Sequence, residues 1–276
     1  MSRAEKIIVL VLVGAGMVGL YWRVVAGLPR VWLVDPTYSH GFVVPLVSAW
    51  IIWRRRRQWR KCAGEGSWWG VAMVGVAMAL AVLGRWAGEL FIQRGSMILA
   101  LWAVVWALWG WAAARAVAFG IFFLGFMIPL PHVVYDTVAF PLRLVAAQLA
   151  GWILELVGVP VYVEGNVVHL PHVVLNVVDA CSGIRTMIAL AAAGALLSWL
   201  ELRRWWGWLV MGVGVVVLAV VTNALRVAVS GALGEVWGSG WVEGAAHEAV
   251  GWVVFMVGFG LLWILAGWLR RVEGGR

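Results

Sequence analysis

The sequence is built from apolar runs that approach 20 residues in length and are separated by short loops rich in basic residues. A helix that crosses a bilayer needs about 20 such residues, and in lipid it must satisfy its own backbone hydrogen bonds. Because 64% of the 276 residues are hydrophobic and only 12% are charged, a soluble domain of this size would have to expose large apolar patches. We therefore predict an all-α integral membrane protein, a polytopic bundle of about eight transmembrane helices.

Eight segments fit this prediction, and we treat them as one polytopic domain that covers residues 1–276. The predicted spans are residues 7–28, 41–53, 68–86, 97–111, 116–130, 183–200, 205–229 and 249–269. The first span resembles a signal peptide, but further spans follow it, so we interpret it as an uncleaved helix. The second span is short and contains Pro45, and the fourth and fifth are separated by a tight turn around Arg115.

The net charge of +8 is explained by membrane topology. Basic residues concentrate in cytoplasmic loops of membrane proteins, and the largest group here is Arg54, Arg55, Arg56, Arg57, Arg60 and Lys61. The expected partner of this surface is therefore the lipid bilayer and not nucleic acid.

Residues 140–159 are ambiguous, because they have helical periodicity but include Arg143, Gln148 and Glu155. If this segment does not cross the membrane, most of the 21 Lys and Arg residues lie on the cytoplasmic side. If it does cross, Arg203, Arg204 and the basic C-terminal tail move outside. We therefore predict an amphipathic helix that lies on, or dips into, the outer face.

Residues 160–179 change character, because β-branched residues lie on both sides of Glu164-Gly165-Asn166, which is typical of a hairpin. Strand backbone cannot face lipid, so we predict a small extracytoplasmic β element. It is followed directly by Cys181.

Cys181 lies in the segment DACSGIRTM, at the start of a long apolar helix and beside Ser182 and Arg185. A helix N-terminus and a nearby guanidinium both favour the thiolate, so Cys181 is a candidate nucleophile. The alternative is a small residue that fills a gap at the helix start. The other cysteine, Cys62, lies in the basic loop across the membrane, which excludes a disulfide between them.

Two more polar groups lie on the same predicted side. Asn223, Arg226 and Ser230 share one helical face, and an arginine at membrane depth usually faces a partner or a functional site. The alternative is an arginine that extends to the interface.

Glu243 and His247 precede the last span. Histidine transfers protons near neutral pH, and Glu243 lies one turn earlier, where it could orient the ring or cap the helix. The alternative is an ordinary interfacial histidine.

Other polar residues carry less weight. His169 and His172 have an HLPH spacing with a proline between them and no acidic third ligand, so we predict no metal site and no cofactor. His40 and Asp136 lie on the predicted outer side, where they line the site or cap the adjoining spans.

Several stretches resemble one family. They are DPTYSHGFVVPLVSAWIIWRRR, FMIPLP, GVPVYVEGN, DACSGIR and TNALRV, followed by a late histidine. Over about residues 35–252 the chain resembles the exosortase/archaeosortase family of membrane cysteine transpeptidases.

This resemblance implies a catalytic Cys-Arg-His site at Cys181, Arg226 and His247, facing the extracytoplasmic side of a bacterial inner membrane. The substrates implied are exported proteins that end in a sorting signal, which consists of a short motif such as Pro-Glu-Pro, a transmembrane helix and a basic cluster. Residues expected to support the site or bind substrate are Arg185, Asn223, Ser182, His40 and Glu243. The alternative function is a non-catalytic component of exopolysaccharide export, and the oligomeric state is left open.

Overall fold

The chain is almost entirely helical in the computed structural model, which describes residues 3–177, 184–238 and 244–274. For residues 3–10, 12, 13 and 244–247 only the backbone is described. The α-helices of these ranges are α1 (Arg3–Val34), α2 (Val43–Arg54), α3 (Arg56–Cys62), α4 (Trp68–Trp86), α5 (Leu90–Phe123), α6 (His132–Leu156), α7 (Ile184–Glu201), α8 (Trp205–Trp237) and α9 (Gly244–Val272). Two 3₁₀ helices, Pro36–Phe42 and Leu124–Met127, follow α1 and α5.

Seven helical segments in the described ranges are long and apolar enough to cross a membrane. They lie in α1, α4, α5 with its 3₁₀ extension, α6, α7, α8 and α9. This confirms the predicted class, an all-α polytopic membrane protein. The residues fall into two compact units, Met1–Pro131 and His132–Arg276, and the single domain over 1–276 stays a prediction.

In the first unit, α5 folds back on itself at Gly110. This residue has φ 83° and ψ 173°, a conformation that glycine adopts without the steric cost of a Cβ. Across the break, Trp102 Nε1 donates to the carbonyl of Ala114 at 3.0 Å, and the rings of Trp106 and Trp111 lie 4.9 Å apart. The two arms correspond to the separate fourth and fifth spans that we predicted. The turn between them, however, is at Gly110, and Arg115 is an exposed residue on the second arm.

The Gly110 turn lies at the same end of the first unit as the basic loop. Gly64 N–H donates to the carbonyl of Trp109 at 3.0 Å, and the rings of Trp59 and Trp109 pack edge to face 5.4 Å apart. Helix α2 reaches this end from the first 3₁₀ helix with only 12 residues, a length of about 18 Å.

Small residues let the helices of the first unit approach closely. Ala77, Ala100, Ala103 and Ala107 are fully buried, and a Cβ on Gly70 would lie 2.2 Å from the backbone nitrogen of Ala107. Without a hydrophobic driving force in lipid, such close backbone packing holds transmembrane helices together.

The second unit carries a three-stranded antiparallel sheet of β1 (Tyr162–Glu164), β2 (Val167–His169) and β3 (Val174–Asn176), in the order β1-β2-β3. Glu164 pairs with Val167, so Gly165 and Asn166 form a two-residue turn. Gly165 has φ 59°, as the turns of tight hairpins require. A small β element before Cys181 is therefore present, as the sequence predicted.

Four helices complete this unit, with α8 at their centre. Helix α6 runs in the same direction as α8, because Leu142 lines a small opening with Asn223 and Leu154 lies beside Gly231. Helix α7 runs the opposite way, since a loop of three residues joins it to α8 and Gly194 lies against Val215. Helix α9 also runs the opposite way, since Gly251 lies against Arg226 and Gly258 against Thr222. The sheet therefore packs where α6 and α8 end and where α7 and α9 begin.

Helix α6 differs from our prediction for residues 140–159. It begins at His132 and includes Pro141 as an internal residue, because a single proline removes one backbone hydrogen bond without ending a packed helix. It is longer than the predicted segment, and its 25 residues are long and apolar enough to cross a membrane. The location of this segment on the outer face stays a prediction. The polar residues that suggested a surface location occupy a minority of its positions.

Candidate active site

Arg226 is buried in the second unit. Its side chain is 7% exposed, and Asn223 and Ser230, on the same face of α8, are each 2% exposed. This burial favours the predicted inward-facing group over the alternative in which the arginine extends to the interface. An arginine inside a helical bundle is costly, so it is usually retained for a partner or a function.

The guanidinium of Arg226 lies directly against helix α9 at Gly251. A Cβ added to Gly251 would lie 2.9 Å from Cζ, 3.0 Å from Nη2 and 3.1 Å from Nε of Arg226. Glycine therefore creates the space that the guanidinium occupies. Position 247 lies four residues earlier, one turn closer to the start of α9, and so on the same face of the helix.

The starts of α7 and α9, which lie close in sequence to the predicted catalytic positions 181 and 247, are at one end of the second unit. Helix α7, which follows Cys181, begins at Ile184, and α9 begins at Gly244, three residues before His247. Both starts are at the sheet end, where Arg226 meets Gly251. Cys181, Ser182 and Glu243 themselves lie outside the described residues, as does the side chain of His247.

Arg185 lies in the first turn of α7 and is half-buried. Its Nε is buried, and among the described residues it has no hydrogen-bond acceptor. A second cation four residues after Cys181 adds positive potential to this end of the unit, which favours anionic groups.

The sheet attaches to α8 through a contact between His172 and Glu235, which the sequence does not predict. Glu235 accepts a hydrogen bond from the backbone N–H of His172 at 3.1 Å, and its other oxygen contacts His172 Nδ1. His172 is therefore paired with a carboxylate. We had not singled out Glu235, because two residues 63 positions apart give no local signal.

Potential metal ligands are not clustered in the part of the chain that the structure describes, since no group of three or more His, Cys, Asp or Glu side chains is close enough to hold an ion. His169 and His172 also differ in their surroundings, because His169 packs against the ring of Tyr162 at 5.9 Å. The described side chains at the sheet end include the cations Arg185 and Arg226.

Comparison with protein-family models matched residues 32–264 to a family described as transmembrane exosortase. The match covers most of the chain. The chain belongs to the transmembrane exosortase family. Searches of curated proteins and of solved structures gave no match.

In this exosortase family member, the two motifs of the first unit are joined by hydrogen bonds. Trp32 Nε1 donates to the carbonyl of Met127 at 3.0 Å. The Tyr38 hydroxyl accepts from the N–H of Leu130 at 2.9 Å. The DPTYSHG and FMIPLP stretches therefore form one structural element, although about 90 residues separate them.

His40 belongs to the same element, because its Nε2 lies 3.0 Å from the carbonyl of Phe126. A carbonyl only accepts, so Nε2 carries a proton. Burial lowers the pKa of His40, and its hydrogen bonds to the backbone carbonyls of Phe126 and Thr37 oppose this effect without overcoming it. The contacts of His40 within the first unit are structural, and its predicted supporting role at the site of this exosortase stays a prediction.

Proposed function

We propose that this exosortase family member is a membrane cysteine transpeptidase that cleaves C-terminal sorting signals from exported proteins. The observation that carries the proposal is the burial of Arg226 against Gly251, one helical turn from position 247. Membership in the exosortase family supports processing of sorting signals in general. The chemistry that follows is our assignment of roles to residues at the sheet end.

The reaction begins with attack of the Cys181 thiolate on a peptide carbonyl of the substrate. The tetrahedral intermediate collapses, the C–N bond breaks, and a thioester to Cys181 remains. The departing amine takes a proton from His247. An acceptor nucleophile, losing its proton to His247, then attacks the thioester and releases Cys181. If water is the acceptor, the same steps make the protein a protease.

Arg226 has the most direct structural support. A guanidinium held in a buried site stabilises a thiolate and the oxyanion that develops on the carbonyl oxygen, because little solvent competes for its charge. Packing against Gly251 leaves it little freedom to move, which limits the reorganisation needed during reaction. In the proposed site, Arg185, Asn223, Ser182 and Glu243 are supporting residues.

The proposed site faces the extracytoplasmic side of the membrane. The opposite end of the second unit carries Arg203, Arg204, Arg270 and Arg271, where Arg270 pairs with Glu201 at 2.8 Å. Basic residues favour the cytoplasmic side, so the sheet end is assigned to the outside. Exported substrates anchored by a C-terminal helix meet the enzyme there.

The test uses a reporter protein that ends in a Pro-Glu-Pro motif, a transmembrane helix and an arginine-rich tail, co-expressed with the full chain. We expect Cys181→Ala to abolish shortening of the reporter and Cys62→Ala, which changes the other cysteine, to leave it unchanged. Cleavage that persists in Cys181→Ala contradicts the proposal. If the parent never shortens this reporter, neighbouring genes that encode a motif–helix–basic tail supply the next substrates.

Two further measurements separate the alternatives. A non-catalytic export component should tolerate Cys181→Ser, whereas a transpeptidase loses its nucleophile. Mass spectrometry of the processed reporter distinguishes a free C-terminal carboxylate, the product of hydrolysis, from an attached acceptor.

A further inference from the structure

Asn166 engages both main-chain polar groups of Val177. The carbonyl of Asn166 accepts from Val177 N–H at 2.9 Å, and its side-chain Nδ2 lies 3.3 Å from the carbonyl of Val177. The same Nδ2 donates to Asn176 Oδ1 at 2.9 Å. Asn166 lies in the turn between β1 and β2, so the side-chain contacts are additional to the strand ladder.

Val177 is also the last described residue before the segment that carries Cys181. Its side chain is 1% exposed and belongs to a core that includes Val227 and Ala228, the two residues that follow Arg226 on α8. Val177 is therefore attached to the hairpin by its backbone and to the Arg226 helix by its side chain.

Cys181 follows Val177 by only four positions. An extended chain of that length reaches about 14 Å at most, so the location of Val177 limits where the thiol can lie. Misplacement of a reacting group by about 1 Å can cost a hundredfold in rate. A contact that fixes Val177 thus acts on the thiol at a distance.

We infer that Asn166 is a positioning residue, which through Val177 restrains the chain that leads to Cys181. This inference rests on the proposed function of Cys181 as a nucleophile beside Arg226. The side-chain amide is the relevant group, because the main-chain bond from Val177 to Asn166 survives any substitution. Aspartate has the same size but no donor, and it would place a second oxygen against the carbonyl of Val177.

The chain offers a matched control in Asn176. Asn176→Ala removes the partner of the shorter Nδ2 contact but leaves the contact between Asn166 and the Val177 carbonyl. Asn166 and Asn176 are hydrogen-bonded to each other, so both substitutions act at the same place in the sheet. A difference between them therefore reports on Val177.

The experiment uses the full chain in detergent with Cys62→Ser, so that Cys181 is the only thiol, and follows its alkylation by iodoacetamide from pH 5 to pH 10 by intact-mass measurement. A cation near the sulfur increases the thiolate fraction at neutral pH, and Arg226→Met defines the profile without that cation. We expect Asn166→Ala to slow alkylation at pH 7 about tenfold and move its pH profile toward that of Arg226→Met. Asn176→Ala should stay within twofold of the parent.

A profile for Asn166→Ala that superimposes on the parent overturns the inference, and so does an equal change in Asn176→Ala. The unfolding temperature of each variant must remain within a few degrees of that of the parent. Asn166→Asp provides the comparison if Asn166→Ala does not fold. Alkylation needs no substrate, so this outcome is independent of the reporter assay. Reporter cleavage that persists in Cys181→Ala refutes the proposed function alone, whatever the alkylation profiles show.

Discussion

Arg226 on α8 and Gly251 on α9 lie directly against each other, with Cζ of Arg226 2.9 Å from the place a Cβ on Gly251 would take. The cation is large and the opposing residue has no side chain. The pair therefore depends on glycine for space and not for backbone flexibility, since Gly251 has ordinary helical geometry.

Gly251→Ala should reduce reporter cleavage about ten- to a hundredfold while the protein still folds. The added methyl group displaces the end of a long side chain, which costs little stability, but the guanidinium leaves the position that the proposed oxyanion stabilisation needs. Gly260→Ala in the same helix is the control, because a Cβ there meets nothing within 4 Å. Equal activities of the two variants would contradict the role of Arg226.

Gly70→Ala should destabilise the first unit by about 1–3 kcal/mol, the usual cost of overpacking. Its Cβ would lie 2.2 Å from the nitrogen and 2.5 Å from the Cα of Ala107, and backbone atoms cannot move aside as a side chain does. A Cβ on Gly75 in the same helix would meet nothing within 4 Å. Gly75→Ala should therefore be neutral or slightly stabilising, because alanine has a higher helix propensity than glycine. Thermal unfolding in detergent measures both, and a Gly70→Ala protein as stable as the parent would exclude this close packing.

His40 should make the protein less stable in mild acid. Its pKa is lowered in the folded state, whereas in the unfolded chain it is about 6.5. The unfolded state therefore binds more protons as the pH falls below about 6.5, and the free energy of unfolding decreases over that range. His40→Gln keeps a donor for the Phe126 carbonyl but does not titrate, so its unfolding temperature should change less than the parent's between pH 7.5 and 5.5. A parent whose unfolding temperature does not fall over that interval would argue against this effect.

The sidedness of the sheet is testable by labelling. In a chain with Cys62→Ser and Cys181→Ala, a cysteine placed at Glu164, which is exposed in β1, should react in intact cells with a thiol reagent that cannot cross the membrane. Cys62, retained alone in a matched variant, should react only after permeabilisation. This pattern requires an odd number of crossings between Cys62 and Glu164. Helix α4 and the two arms of α5 give three, so α6 must not add a fourth, although it is long enough to cross. Protection of the Glu164→Cys position would show instead that α6 crosses.

Much of this architecture is encoded locally and was therefore predictable. Apolar length identified most of the membrane helices, and the Glu164-Gly165-Asn166 turn identified the hairpin, because both signals lie within short windows of sequence. The inward face of Asn223, Arg226 and Ser230 followed from helical spacing, and their burial agrees with it.

The features that were missed depend on distant parts of the chain. The sequence predicts the turn at Arg115, because a charged residue between two apolar runs often lies in a loop. The chain instead reverses at Gly110, where φ is 83°. The contact between Arg226 and Gly251 and the pairing of His172 with Glu235 involve residues that approach each other only after the helices pack. No periodicity in the sequence reports such contacts.

The fold-back at Gly110 has a consequence for everything that follows it. As one straight rod, the 34 residues of α5 would extend about 51 Å, well beyond a hydrocarbon layer of about 30 Å. The bend at Gly110 divides α5 into two arms that can each cross the membrane. The chain therefore changes sides once more than it would with a single helix. The side of the membrane on which the sheet, Cys181 and the C-terminus lie therefore depends on this bend, although Cys181 follows Gly110 by 71 residues.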